Sequence, residues 1–425
     1  MKIKTATKSY DEVMAIKPKK RIKPKRPNIL FRTVLKVGSL PDLIAVRFKL
    51  KKIGMDRLDK KEPCLILMNH SSFIDLKIAS SVLYPRAYNI VCTSDGFVGK
   101  RWLMRNLGCI PTQKFVSDVA LVRDMIYATK TLKSSILMFP EASYSFDGTA
   151  TPLPDTIGKC IKLLGVPVVM LRTYGAFARD PLYNNLQLRR VKVSADLEYV
   201  LSPDDIEQKS ADEINEIIFK RFDFDNFRWQ LENNVLVKEK FRADGLNKVL
   251  YKCPHCLSEG KTVGKGTTVC CENCGEGYLL GENGQLSSLK GDAKFSHIPD
   301  WYKWERECVK QELLNGSYGL CVDVDICMMV DMKKIYRVGS GTLTHNVDGF
   351  HLVGCDGKLN YKQKPTASYS LYSDYFWYEI GDMICIGNSK ILYYCFPKSG
   401  ADIVAKTRLA VEELYKIVKS KKEEP

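Results

Sequence analysis

The stretch Leu65–Asp75, LILMNHSSFID, decides how this chain is read. An apolar run, Leu65-Ile66-Leu67-Met68, stops at the polar Asn69-His70-Ser71-Ser72, and a helical apolar pattern starts at Phe73. That order predicts a buried strand, a polar turn and the first turn of a helix. Turns of this kind are where α/β proteins place their chemistry. Here the turn offers one imidazole, His70, and one carboxylate, Asp75, which we read as a general base and its orienting partner. The alternative is a buried histidine satisfied by a neighbouring acid. Spacing alone does not choose between them, because His351 and Asp356 repeat it within HLVGCD. In that second pair a strand and a turn match by chance. What distinguishes the first pair is its setting: a buried strand before it, Asn69 beside it, two small serines and a helix after it. Main-chain N–H groups at that helix start are candidates to hold an oxyanion.

Working outward, short apolar strands alternate with helical patterns from Pro63 to about Val200. Strands are expected at Cys64–Met68, Tyr88–Cys92, Ile136–Phe139, Val166–Leu171 and Val191–Ala195. Helices are expected near Phe73–Leu83, Gly99–Leu107, Val116–Lys133 and Thr156–Leu164. This alternation predicts an α/β fold, a mostly parallel sheet covered by helices. Ser210-Ala-Asp-Glu213 reads as a capping box opening a helix to about Phe222.

Three further stretches carry candidate groups. Phe139-Pro140-Glu141-Ala142-Ser143-Tyr144-Ser145 follows the strand Ile136-Leu137-Met138 and aims Glu141 toward the sheet's carboxyl edge; Glu141 and Ser143 also fit a simple turn cap. Gly108–Lys114 closes a strand with one cation, and Val166–Arg172 is a buried strand ending in another. Either cation alone reads as a solvated charge as readily as a phosphate ligand.

The order of these blocks resembles the glycerolipid acyltransferase family that includes the 1-acylglycerol-3-phosphate acyltransferases. NHxxxxD matches Asn69, His70 and Asp75; GxxxxxR matches Gly108 with Lys114 in place of Arg; FPEGTRS matches Phe139, Pro140, Glu141 and Ser145 but not Ala142, Ser143 and Tyr144. The fourth block, a VP-containing strand, matches Val166-Pro167. The resemblance implies catalysis by His70 and Asp75, and substrate binding by Asn69, Lys114, Glu141, Ser143 and Ser145. Arg172 is expected to compensate for the cation lost at Tyr144. The implied reaction is direct acyl transfer from a thioester, acyl-CoA or acyl carrier protein (acyl-ACP), to the hydroxyl of lysophosphatidate, giving phosphatidate. Glycerol-3-phosphate and other lysophospholipids are alternative acceptors, and a non-catalytic membrane or nucleic-acid binder is the rival reading.

A second signal lies beyond Tyr251. Cys253-Pro-His-Cys256 and Cys271-Glu-Asn-Cys274 supply four thiolates at the spacing of a zinc ribbon with a closed, structural Zn²⁺ site. Cys270 and His255 are spare donors. From Tyr318 onward short strands and turns precede a helix, Gly400–Val418, an order that resembles a pleckstrin-homology or GRAM-like module. The expected organisation is a basic arm and amphipathic helices (1–48), an acyltransferase domain (49–248), a zinc ribbon (249–282), a linker and helix (283–317), and a β-rich domain with a closing helix (318–425).

The totals fit this picture. With 65 Lys+Arg against 49 Asp+Glu, the formal charge is +16, which favours polyanionic partners. Lys17–Arg26 is basic and interrupted by prolines, so an extended or mobile arm is expected. Ile29–Leu50, broken at Gly38 and Pro41, reads as two short amphipathic helices that either cover the core or touch lipid. No signal peptide and no run of about 18 apolar residues is visible. The fifteen cysteines then point to a reducing compartment. The expected location is cytoplasmic, peripheral on the anionic inner face of the cell membrane, with nucleic acid only a minor alternative partner.

Overall fold

The computed structural model describes residues 2–17, 21–116, 118–400 and 403–423. A short strand, β1 (Thr5–Thr7), precedes the α/β region, whose strands are β2 (Lys49–Ile53), β3 (Leu65–Met68), β4 (Tyr88–Thr93), β5 (Cys109–Thr112), β6 (Ser135–Met138), β7 (Val168–Tyr174) and β8 (Ser194–Leu201). They form one sheet in the order β2-β8-β7-β3-β6-β4-β5. Strands β3 to β7 are mutually parallel. Strand β8 runs antiparallel to β7, and β2 pairs parallel with β8. The sheet is therefore mostly parallel, with a reversed pair at one edge.

Strand β3 sits in the middle because nothing in it needs water. All four residues are fully buried. Leu65 and Leu67 face one layer, with Met125, Ile157, Ile161 and Ile218. Ile66 and Met68 face the other, with Leu43, Ile74 and Ile78. A strand covered on both faces reads as a continuous apolar run, and each such side chain contributes roughly 1.5–3 kcal/mol of burial. The run must end where the sheet ends, so the polar turn at Asn69 lies at the carboxyl edge.

Two expectations for the N-terminal region need correcting. Residues 29–45 form one helix, Ile29–Ala45, running through Gly38 and Pro41 rather than breaking there. Ser39 Oγ meets Ser80 Oγ at 2.8 Å, and Lys77 and Arg179 both pair with Asp42, so the sheet-covering helix Ile74–Val82 holds it in register. The basic segment has no helix or strand over residues 21–28, as its prolines imply, but it is not a free arm. Strand β1 pairs with a strand of the C-terminal region, Ser9 and Glu12 cap the helix Tyr10–Met14, and Arg21 bonds Asp118 and Asp124. The Ser-x-x-Glu cap was readable in the sequence; the strand partner, over 300 residues away, was not. Of the basic cluster, Pro18, Lys19 and Lys20 lie outside the described residues. The strand expected at Val191–Ala195 instead spans Ser194–Leu201, where strict alternation of buried and partly exposed residues marks a strand covered fully on one face only.

Strands β9 (Thr262–Lys265), β10 (Thr268–Cys271), β11 (Gly277–Leu280) and β12 (Leu286–Ser288) make a four-stranded sheet carrying the cysteines. The helix Ile298–Leu314 follows, with Trp301 buried. Then β13 (Leu320–Met329), β14 (Ile335–Asn346), β15 (Gly349–Gly354), β16 (Leu359–Gln363), β17 (Tyr372–Trp377), β18 (Gly381–Gly387) and β19 (Leu392–Pro397) form an antiparallel sheet in the order β16-β15-β14-β13-β19-β18-β17. The helix Ile403–Glu423 closes the chain. Among the described residues no helix is long and apolar enough to cross a membrane.

The helices Ile157–Leu164 and Ala211–Phe222 approach so closely that only glycine fits between them. A Cβ on Gly158 would lie 2.1 Å from the Ala211 carbonyl oxygen and 2.8 Å from Asn215 Oδ1. The Gly158 N–H donates to that same Asn215 oxygen at 2.7 Å. Gly158→Ala is expected to force the helices apart and cost about 1–3 kcal/mol, read as a lower urea midpoint for the α/β region.

Candidate functional site

Strands β3 and β6 are parallel neighbours, with Leu67 opposite Met138. Their outgoing turns therefore leave the sheet side by side, the first carrying His70 and the second Glu141. The Glu141 carboxylate bridges them: Oε2 accepts the His70 main-chain N–H at 2.8 Å and Oε1 accepts the Thr151 N–H at 2.9 Å. Burial pushes Glu141 up to about 7, against the pull of those two N–H donors. Asn69 ties the other side. Its Oδ1 accepts from the Thr173 N–H at 2.8 Å and its Nδ2 donates to the Thr173 carbonyl at 3.2 Å, fixing the end of β3 to β7.

Between these anchors His70 Nδ1 lies 3.2 Å from Asp75 Oδ2. The carboxylate is only 1% exposed, whereas the imidazole is 22% exposed and opens onto a cavity. Asp75 Oδ2 also accepts the N–H groups of Ser71 at 2.7 Å and Ser72 at 3.0 Å. The turn's own N–H groups, at Ser71 and Ser72, are thus committed to Asp75 and do not face a substrate, whereas the helix Ile74–Val82 begins after them. No hydrogen-bond partner is recorded for His70 Nε2 among the described residues, which leaves it the nitrogen available for proton transfer. The rings of Phe139 and Tyr144 lie 4.4 and 4.2 Å from the imidazole. Burial beneath them pushes the His70 pKa below its ordinary value, while the hydrogen bond and charge of Asp75 oppose the shift. A neutral imidazole backed by a fixed carboxylate can take a proton from a bound hydroxyl.

The cavity has a volume of about 1170 Å³. Part of its lining, Leu121, Met125, Leu153, Ile157 and Cys160, is apolar and belongs to the core of the α/β layers. Other lining residues carry charge. Lys114 is one, its ammonium 4.2 Å from the centre of the Tyr372 ring, and burial lowers its pKa. Asp374 of β17 is another and is pushed up to about 7 by burial, with Lys114 opposing. Tyr372 of β17, Tyr378 just after it and Tyr415 of the C-terminal helix also wall the cavity. The sequence reading missed that wall. Its one signal was the aromatic density of Tyr369–Tyr378, which reads equally well as an ordinary strand core.

The other candidates fall elsewhere. Ser145 Oγ donates to the Thr149 carbonyl at 2.6 Å and accepts from the Gly148 N–H at 2.9 Å, closing a turn. Ser143 Oγ accepts from Arg408 at 3.0 Å. Arg172 is not brought to the cavity: its guanidinium donates to the Arg221 carbonyl on the neighbouring helix Ala211–Phe222. His351, the spacing control, bonds Asn360 at 2.9 Å on the surface of the β-rich sheet, far from any carboxylate role.

The cysteine cluster is separate. Sγ atoms of Cys253, Cys256, Cys271 and Cys274 all lie within 4.8 Å of one another. Two of the separations, Cys253–Cys274 and Cys256–Cys271, are 3.7 Å. Four sulfurs around a tetrahedral ion at about 2.3 Å would be about 3.8 Å apart, so the set is compatible with a bound metal ion. His255 is turned to Tyr278 at 2.9 Å, which removes it as a competing donor.

No curated protein matches the sequence. Among solved structures, the crystal structure of the 1-acyl-sn-glycerophosphate (LPA) acyltransferase, PlsC, from Thermotoga maritima is 16% identical over 45% of this chain and 76% of that chain, with a TM-score of 0.36. Residues 49–172, which span β2 to the middle of β7 and include both the His70 and Glu141 turns, match the family model described as Acyltransferase.

Proposed function

We propose that the chain is an O-acyltransferase that moves an acyl group from acyl-CoA or acyl-ACP to the hydroxyl of lysophosphatidate, giving phosphatidate. The observation that carries this reading is the His70–Asp75 pair opening onto a cavity lined by both apolar and charged side chains. The apolar lining suits an acyl chain and Lys114 suits a phosphate. His70 Nε2 accepts the acceptor's hydroxyl proton as its oxygen attacks the thioester carbonyl. Asp75 holds the Nδ1–H tautomer and stabilises the imidazolium. The tetrahedral adduct then expels the thiolate, which takes the proton from His70. Both bonds change within one ternary complex, and no acyl-enzyme forms.

A second acceptor class has its own support. Tyr144 stands where the resembling family carries Arg, Arg172 does not line the cavity, and Asp374 does. Those features support another lysolipid head group as the alternative acceptor. The non-catalytic reading is disfavoured by the preserved hydrogen bonding around His70.

Three accessory readings accompany the reaction. Zn²⁺ is assigned to Cys253, Cys256, Cys271 and Cys274 as a structural ion. The β-rich region is read as PH- or GRAM-like, supported by its seven antiparallel strands and closing helix. A peripheral location on an anionic membrane is supported by the helix Ile29–Ala45. Leu30, Val34, Val37 and Ile44 form one exposed apolar stripe along it, and Trp102, beside Phe31, is 72% exposed.

Purified protein incubated with acyl-CoA or acyl-ACP and a panel of lysolipids is expected to esterify lysophosphatidate. His70→Ala should abolish turnover and Asp75→Asn should lower kcat by roughly 10²–10⁴; a folded His70→Ala enzyme with retained activity would sink the mechanism. Because burial lowers the His70 pKa, the base stays neutral further into acid. The acid limb of kcat/KM is therefore expected below the ordinary imidazole value of about 6.5.

Metal analysis is expected to find one zinc per chain, lost in Cys271→Ser together with cooperative unfolding. Sedimentation with phosphatidylserine-containing vesicles, but not with pure phosphatidylcholine vesicles, checks the membrane reading. Val34→Asp combined with Ile44→Asp should weaken that binding at least tenfold.

A further inference from the structure

The turn that carries Glu141 is held from outside its own domain. Arg408, on the helix Ile403–Glu423, is 3% exposed. Its Nη1 donates to Ser143 Oγ at 3.0 Å and to the Tyr144 carbonyl at 3.4 Å. Its Nε donates to Glu412 at 3.2 Å, and its guanidinium lies 4.3 Å from the centre of the Phe146 ring. Glu412 is 1% exposed and is also paired with Arg306 at 2.7 Å and hydrogen-bonded by Ser370 at 2.6 Å. Charges this deep in the protein persist only when paired and hydrogen-bonded. The planar guanidinium alone can divide its donors among a carboxylate, a hydroxyl and a carbonyl.

The turn needs such a hold. Ala142 has φ +54°, a conformation unfavourable for a residue with a Cβ, and it lies between the Glu141 anchor and Ser143. Tyr144, two residues on, lays its ring 4.2 Å from the His70 imidazole. Arg408 does not itself line the cavity, so it is not a stand-in for the family's missing acceptor-binding cation.

We propose that Arg408 is a positioning residue, through which the C-terminal helix sets the Ser143–Tyr144 main chain and thereby the Tyr144 ring against His70. This rests on His70 being the catalytic base. The β-rich region and its helix are then part of the transferase site, not a separate recognition module.

The groups that face His70 are Asp75 at Nδ1, Glu141 on its main-chain N–H, the Tyr144 phenol across its face and Lys114 in the same cavity. Releasing Tyr144 admits water to the imidazole and reduces the burial that lowers its pKa. Full-length protein labelled in its five histidines allows NMR titration, with the His70 signal identified by its loss in His70→Gln. Arg408→Lys keeps the charge but cannot keep all the donors; Ser143→Ala removes one acceptor and leaves the Arg306–Glu412–Arg408 pairs in place. Both are expected to raise the His70 midpoint by about half to one pH unit. Arg408→Lys should also lower kcat about tenfold with the acyl-donor KM within about twofold. A folded variant with an unshifted His70 midpoint overturns the proposal, whether or not its activity falls. If Arg408→Lys does not fold, Ser143→Ala decides alone. A wild-type protein without transferase activity would instead sink the proposed function and leave the titration to judge Arg408.

Discussion

The Asp75 carboxylate is the constraint to which the rest of the site answers. An ionised group removed from water is tolerated only when its oxygens are met by donors. Here Ser71 N–H, Ser72 N–H and the His70 imidazole converge on one oxygen, and Thr173 Oγ1 reaches the other at 3.4 Å. Satisfying the carboxylate this way bends the chain after β3 into one shape. That shape aims His70 at the cavity and uses up the N–H donors of Ser71 and Ser72. Asn69 and Glu141, which the family resemblance placed at substrate, sit around the same turn as struts. Asn69 fixes it to β7, and Glu141 fixes it to the turn after β6.

Much of this was legible in the sequence because it depends on local pattern. An unbroken apolar run such as Leu65–Met68 marks a strand covered on both faces, and the polar residue that ends it marks the sheet's edge. The His351–Asp356 pair also behaves as its setting implied, His351 on the outer face of β15 and Asp356 in a turn at φ +56°. What escaped the sequence depends on long-range partners. Strand β1 needs β14, Tyr372 needs Asp95, and Ser143 needs Arg408. Each contact joins residues more than 250 positions apart, and none leaves a periodicity to read. Pro41 misled for a different reason: the helix Ile29–Ala45 continues because its packing against Ile74–Val82 outweighs one missing backbone bond.

The placement of charge also changes how the molecule is viewed. The net excess of basic residues invites a search for one large cationic face. At the candidate site, however, the charges come as few, balanced and partly buried groups. Lys114 sits against an aromatic ring with Asp374 nearby, and Arg306, Arg408, Glu412 and Glu413 form a closed cluster beneath the Tyr144 turn. Buried clusters of this kind gain little net stability over apolar packing, but they specify a single arrangement.

The pairing of β1 with β14 has a consequence for how the protein is made. Thr5–Thr7 is synthesised long before its hydrogen-bond partners, Ile335–Arg337, about 330 residues further on. At about 5–20 residues per second, the earlier strand waits tens of seconds without its neighbour. The α/β layers can collapse in that interval, but the clasp between β1 and β14 cannot close. A nascent chain cut short anywhere between β1 and β14 would therefore carry an unpaired strand edge, exposed to other chains until it is degraded.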